Sequence, residues 1–230
     1  MAGAAPRLRV DHLVWAAPSL PEGMAAFEEL TGVAPCIGGR HMGLGTHNAL
    51  VSLGDGRYFE ILAPDPEQPP GATWLGVDAP SPRLTTWCAR LVDEGSDLAD
   101  LDDATRANAA TYGYSGVGPA KDASRTTADG RMVRWRLAAS SHRCGYRELP
   151  MGGLVPFLID WGPNEGPHPS ETAPGGCRLV ELVGHHPEPG QVEGLLSSLG
   201  AQGCFSTFAG GPEARIEAVL DTPKGQVKLR

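Results

Sequence analysis

A chain of 230 residues that is 41% hydrophobic can bury a core either as one large domain or as several small packed units. Its formal charge of -8, from 19 Lys and Arg against 27 Asp and Glu, argues against nucleic acid or an anionic membrane as partner and favours a small neutral or locally charged ligand. MAGAAPRLRV lacks the apolar core of a signal peptide and no stretch approaches the ~18 apolar residues of a membrane span, so a cytoplasmic protein is expected.

The first unit opens with Leu8 to Ala17, a strand in which Leu8, Val10, His12 and Val14 share one face by the period of two. Ser19-Leu20-Pro21-Glu22 then has the spacing of a capping box with Pro in the first helical turn. Met24, Phe27 and Leu30 recur every three residues, and Gly32 stops the helix in a left-handed conformation. After the Gly-rich passage GGRHMGLG, HNALVSL is joined through Gly54-Asp55-Gly56 to RYFEILA, a hairpin signal.

The second unit repeats the order. LTTWCARLV reads as a strand, Asp97 to Thr111 as a helix with Leu98 and Leu101 inward, GPAKDASRT and MVRWRLAAS as a hairpin about Asp129-Gly130, and LVPFLIDW as the last strand. The third unit runs from RLVELVG through a helix carrying Val192, Leu195, Leu196 and Leu199 that stops at Gly200, then ARIEAVL and QVKLR around Pro223-Lys224-Gly225. Pro- and Gly-dense stretches separate the units. The expected organisation is α+β: βαβββ modules at 7–64, 83–162 and 176–230, with linkers at 65–82 and 163–175, forming half-open curved mixed sheets. A module alone exposes a sheet face, so three modules leave one unpaired and predict a homodimer.

Cys36, Cys88, Cys144, Cys177 and Cys204 are scattered, odd in number and without C-x-x-C spacing, and read as reduced thiols in packing positions. Gly43-Leu44-Gly45 lacks a following Rossmann helix and no Walker sequence occurs, so no nucleotide cofactor is expected.

VDHLVWA, GGRHMGLGTHNALVSLGDGRYFEILAPD and GGLVPFLIDWG occur in this order. Together they resemble the glyoxalase-like family of the vicinal-oxygen-chelate superfamily over the first two units, with the third resembling a C-terminal extension. The resemblance implies paired modules curled around a ligand or a metal. It leaves open a metal-dependent isomerase, epimerase, lyase or dioxygenase and a drug-sequestering protein.

Metal-dependent relatives draw one ligand from the first strand of a module and one from its last, places held here by His12 and Glu60. Imidazole with carboxylate suits Zn, Ni, Mn, Co or Fe. The matching second-unit places fall near Thr86 and near Leu158 or Asp160, and the third-unit places at Glu181 and Lys228, so the pattern is incomplete. The plainer reading of His12 is a hydrogen-bonded core histidine, and of Glu60 a structural pair with an Arg. In the Gly-rich stretch His41, His47 and Asn48 are candidates to orient an oxygen-rich substrate, with His47 also a candidate third metal ligand or general base. The bland alternative is that the glycines permit a tight crossing. Adjacent His185 and His186 read as solvent-facing or capping residues. Arg134 and Arg136 share a strand face, as a carboxylate or phosphate clamp or as exposed decoration. Trp15, Trp87 and Trp135 are candidate apolar walls.

Three functions follow. The leading one is an isomerase or lyase using metal-assisted proton transfer, with Glu60 or His47 as base. The others are metal-free ligand binding, and metal-free acid-base catalysis by His12 and Glu60. The two residues are expected to face one cavity.

Overall fold

A computed structural model describes residues 8–69, 74–92, 97–98, 110–112, 114, 116–127, 129–162 and 167–230. The first unit comprises β1 (Leu8–Ala16), α1 (Leu20–Thr31), β2 (Cys36–His41), β3 (Thr46–Gly54) and β4 (Arg57–Pro64). Ser19 caps α1 by accepting the Glu22 N–H, and Gly32, at φ 78°, ends it by donating to the Glu28 carbonyl. The buried stripe of α1 is Leu20, Gly23, Phe27 and Thr31, whereas Leu30 is 44% exposed, so the apolar face differs from the expected Met24, Phe27, Leu30 series. A Cβ at Gly23 would lie 2.6 Å from Ile61, so glycine lets the helix rest directly on β4. Asp55 and Gly56, at φ 51° and 71°, supply the turn that matches strand twist between β3 and β4.

The second unit contributes β5 (Arg83–Leu91), β6 (Lys121–Thr126), β7 (Met132–Ala138) and β8 (Phe157–Asp160). Its expected helix lies outside the described residues, apart from Asp97, the buried Leu98 and a 3-10 turn at Ala110–Tyr112. The two units have the same internal order, β1-β4-β3-β2 and β5-β8-β7-β6, each a curved mixed sheet with a parallel pairing of its first and last strands. They join along β1 and β5 and meet again where Arg40 pairs with Thr126 and His41 with Arg125, which closes an eight-stranded barrel.

A short helix, α2 (Pro169–Thr172), leads to the third unit: β9 (Arg178–His186), α3 (Pro189–Ser198), β10 (Thr207–Gly210), β11 (Arg215–Thr222) and β12 (Gly225–Leu229). Its sheet has the order β10-β9-β11-β12, and β10, which no β-rich run announces, pairs parallel to β9. Leu13 and Trp87 on the outside of the barrel share one apolar core with Leu195, Phe205, Ile216 and Leu220 of this unit. The third unit therefore packs apolar surface against the barrel within the chain. Among the described residues no helix is long and apolar enough to cross a membrane.

One irregularity in β1 positions the site. The register against β5 shifts between Val10 and His12, a β-bulge with Asp11 as the extra residue. Leu8 and Val10 consequently face the outer core with Leu13 and Trp15, while His12 and Val14 face into the barrel. The single face expected for Leu8, Val10, His12 and Val14 is thus split, because one inserted residue reverses the parity of everything beyond it.

Closure of the barrel rests on Gly39. Its φ is 149°, and a Cβ there would sit 2.2 Å from the Thr126 carbonyl oxygen across the seam. Gly39→Ala is expected to cost more than about 1 kcal/mol in urea unfolding, since an L side chain fits neither the dihedral nor the space. A midpoint equal to that of the unaltered protein would show that the seam tolerates a side chain.

Candidate functional site

Alternation along the strands gives the barrel two unlike faces. Phe59 and Ile61 point outward to α1, whereas Tyr58, Glu60 and Leu62 of β4 point inward, as do Asn48 of β3 and Phe157 and Ile159 of β8. They surround a cavity of about 440 Å³ counted to its open mouth. His12, His41, Asn48, Glu60 and Arg125 form its polar wall, and Trp135, Trp161, Phe157 and Ile159 lie among its apolar lining.

The polar wall is built on Asp11, which is fully buried by the bulge. Its Oδ1 lies 2.7 Å from His12 Nδ1, and its Oδ2 accepts from Trp161 Nε1 at 3.2 Å, lies 3.2 Å from His168 Nε2 and pairs with Arg90 Nη1 at 3.3 Å. Burial pushes the Asp11 carboxyl up, but hydrogen bonds from His12 and His168 outweigh it and hold the group well below the usual carboxylate range. An ionised Asp11 only accepts, so the proton of a neutral His12 ring sits on Nδ1 and leaves the Nε2 lone pair toward the cavity. The ring is held by Tyr58, stacked at 4.4 Å and 23°, and by the edge of Phe157 at 5.5 Å.

His12 Nε2 faces Glu60 Oε2 at 3.5 Å. The other carboxylate oxygen, Oε1, accepts from Asn48 Nδ2 at 2.6 Å. Asn48 Nδ2 also lies 3.3 Å from His41 Nε2, while its Oδ1 accepts from Arg125 Nη1 at 3.5 Å. Burial is the main reason the His41 pKa falls to about 4, with Glu60 opposing and Arg125 reinforcing the shift. The neutral ring accepts from Asn48 and donates through Nδ1 to Thr46 Oγ1 at 2.9 Å. One amide thus ties the carboxylate, an imidazole and a guanidinium together.

The cavity brings together His12, Glu60, His41, Asn48 and Trp135 from the residues singled out in the sequence. It does not include the others. His47 alternates with Asn48 and is turned away, in the field of Asp65, Arg40 and Glu67, so it is not placed to act as base or ligand. Trp15 packs outward against Phe27 and Phe59, and Trp87 donates to the Leu154 carbonyl inside the outer core. Arg134 and Arg136 line a shallow outer groove, and Arg136 pairs with Asp97 and Asp160. Trp135, between them, takes the inward place.

The residues present do not fit a resident divalent metal. Among the described residues no group of three or more His, Cys, Asp or Glu is arranged to hold one. His12 and Glu60 meet, but Asn48 occupies both the second Glu60 oxygen and the His41 Nε2 lone pair. Among its described residues the second unit offers no completing donor: Thr86 donates to the Gly153 carbonyl, Leu158 is in the outer core, Asp160 pairs with Arg136, and the inward places hold Phe157 and Ile159. In the third unit Lys228 pairs with Glu217, remote from the cavity.

Asp11, Tyr58, Arg125, Trp161 and His168 were not singled out from the sequence. Asp11 adjoins a candidate histidine in VDH, but strand alternation alone assigns it to the opposite face. Arg125 follows from its neighbour across the sheet: Trp135 pairs with Ala123, so an inward Trp135 places Arg125, two residues on, inward as well.

A family model described as a glyoxalase-like domain matches residues 10–200. No curated protein matches the sequence. Among solved structures, a hypothetical protein from Staphylococcus aureus is similar with a TM-score of 0.57 at 12% identity, over 90% of this chain and 88% of its own. A methylmalonyl-CoA epimerase from Mycobacterium tuberculosis gives 0.40 at 15% identity, over 71% of this chain and 93% of its own. Another from Streptomyces coelicolor, in complex with 2-nitronate-propionyl-CoA, gives 0.39 at 16%, over 67% and 97%. These likenesses are of fold.

His142 is buried and bonded to the Val155 carbonyl, and burial lowers its pKa to about 4, as for His41. Between about 4 and the ordinary value of 6.5 the unfolded chain binds protons that the folded histidines do not, so stability is full above that window and is lost as pH falls through it. The share from the depressed Asp11 is lost only below its ordinary 3.8. Urea unfolding at pH 7, 6 and 5 is expected to lose stability with a slope approaching about 1.4 kcal/mol per pH unit for each histidine. His142→Gln should flatten the slope; a pH-independent midpoint would contradict buried neutral rings.

Proposed function

The chain belongs to the glyoxalase-like domain family, with the vicinal-oxygen-chelate fold, and from that premise we propose that it is an isomerase of a small oxygen-rich molecule. The reaction is metal-free proton transfer between His12 and Glu60, in the cytoplasm. The observation that carries the reading is the Asp11–His12 contact at 2.7 Å with His12 Nε2 facing Glu60 Oε2 at 3.5 Å in the barrel cavity. Asp11 fixes the tautomer and stabilises the imidazolium that forms when Nε2 takes a proton from a carbon next to a carbonyl. The electron pair of that C–H bond moves into the carbonyl as an enolate. Where that carbon bears a hydroxyl, the hydroxyl proton moves to the enolate oxygen, and the proton taken by His12 crosses to Glu60 and is delivered to the former carbonyl carbon on the same face, so the first carbon becomes the new carbonyl and the isomerisation is complete. If the substrate carries a leaving group on the next carbon, the same enolate expels it, giving the lyase outcome.

A second reading, binding without turnover, draws support from the aromatic wall, where Trp135 and Trp161 lie 5.7 Å apart between ring centroids. Deuterium exchange separates the two. With hydroxyacetone, lactaldehyde and pyruvate in D2O, proton NMR is expected to show loss of a C–H signal above the buffer rate. His12→Gln and Glu60→Gln should each slow that exchange by about 100-fold or more, with the folded fraction read on each because His12→Gln also removes a partner of Asp11. Binding of a probe without exchange selects the second reading, and exchange that survives His12→Gln rules out the proton-transfer pair.

A further inference from the structure

Arg125 is the one arginine in the buried class among the described residues, at 7% exposure. Arg40, Arg57, Arg90 and Arg136 each reach an aspartate or glutamate, but no carboxylate of the described residues lies within 4.0 Å of Arg125. Its hydrogen bond to Asn48 Oδ1 is long, 3.5 Å from Nη1, and its Nε is sealed from solvent with no acceptor. A guanidinium carries five N–H groups, and burying that charge without acceptors is costly. The chain also makes room for it: a Cβ at Gly38 would lie 2.8 Å from Nη1 and 2.3 Å from Asn48 Oδ1. The group lines the cavity that holds His12 and Glu60.

We infer that Arg125 anchors a carboxylate of the substrate, so that the site takes a small acid with a carbonyl or hydroxyl on the adjacent carbon. A planar carboxylate matches the guanidinium edge and supplies the acceptors it lacks. Asn48 hydrogen-bonds both Arg125 and Glu60, so the carbon next to an anion held at Arg125 lies within one amide's width of the proton-transfer pair. The cavity volume of about 440 Å³, counted to the mouth, is that of a small-molecule site. The inference rests on the proton-transfer reading for its reaction, but its binding claim is separable from that reading.

The test is calorimetric titration with pyruvate, lactate, inorganic phosphate and the uncharged diketone butane-2,3-dione, on the full chain and on Arg136→Met, Arg125→Lys and Arg125→Met. At least one of the two carboxylates is expected to bind the unaltered protein and Arg136→Met, altered outside the cavity, alike, at least about tenfold more tightly than the diketone. Arg125→Lys, which keeps the charge, should weaken that carboxylate about 10-fold and Arg125→Met about 100-fold, with melting temperature read on each. If neither carboxylate binds the unaltered protein, if the diketone binds as well as they do, or if a folded Arg125→Met retains full affinity, the anchor is overturned. Tighter binding of phosphate than of both carboxylates overturns the substrate class. Carboxylate binding lost only on Arg125 substitution, alongside absent proton exchange, preserves the anchor and removes the reaction.

Discussion

The site depends on one buried charge. Asp11 is enclosed in a β-bulge, and a carboxylate there is tolerable only because imidazole, indole and guanidinium groups converge on it. Those donors come from separate parts of the chain: His12 from β1, Arg90 from β5, Trp161 from just after β8 and His168 from the residue that caps α2. Removing one partner of such a buried ion pair costs about 3–5 kcal/mol in general. The arrangement therefore holds the linker against the barrel and fixes the His12 ring in one tautomer. Stability and the proposed chemistry share the same contact.

The rest of the polar wall depends on Asn48 in a comparable way. Its amide has no freedom to flip, because Glu60 requires a donor on one side and Arg125 an acceptor on the other. That choice leaves His41 an acceptor at Nε2 and a neutral base-poor ring, which explains why two histidines 3.5 and 3.8 Å from one carboxylate have different roles. His12 is poised by an anion; His41 is a spacer in a hydrogen-bond chain.

Locally encoded features were legible in the sequence. The Ser19 cap, the Gly32 stop and the Asp55-Gly56 turn each follow from a few adjacent residues, and the order of strands around them reveals the repeated topology. The inward placement of His12 and Glu60 was also readable, since both interrupt apolar strands. What was not readable depends on pairing. Nothing in LRVDHLVWA announces that Asp11 is the extra residue, because a bulge exists only relative to the strand beside it. The same limit sent Trp15 and Trp87 to the wrong side of the wall and favoured Arg134 and Arg136 over Arg125. His47 and Asn48 are adjacent and equally polar, and only the β2–β3–β4 register decides which faces in.

The two halves of the barrel have one topology but unlike inner surfaces. His12, His41, Asn48 and Glu60 come from the first, and Arg125, Trp135, Phe157 and Ile159 from the second. A duplicated scaffold has in this way been released from its own symmetry. The shape and charge of the second half can therefore change without disturbing the His12–Glu60–Asn48 contacts, which lie wholly within the first.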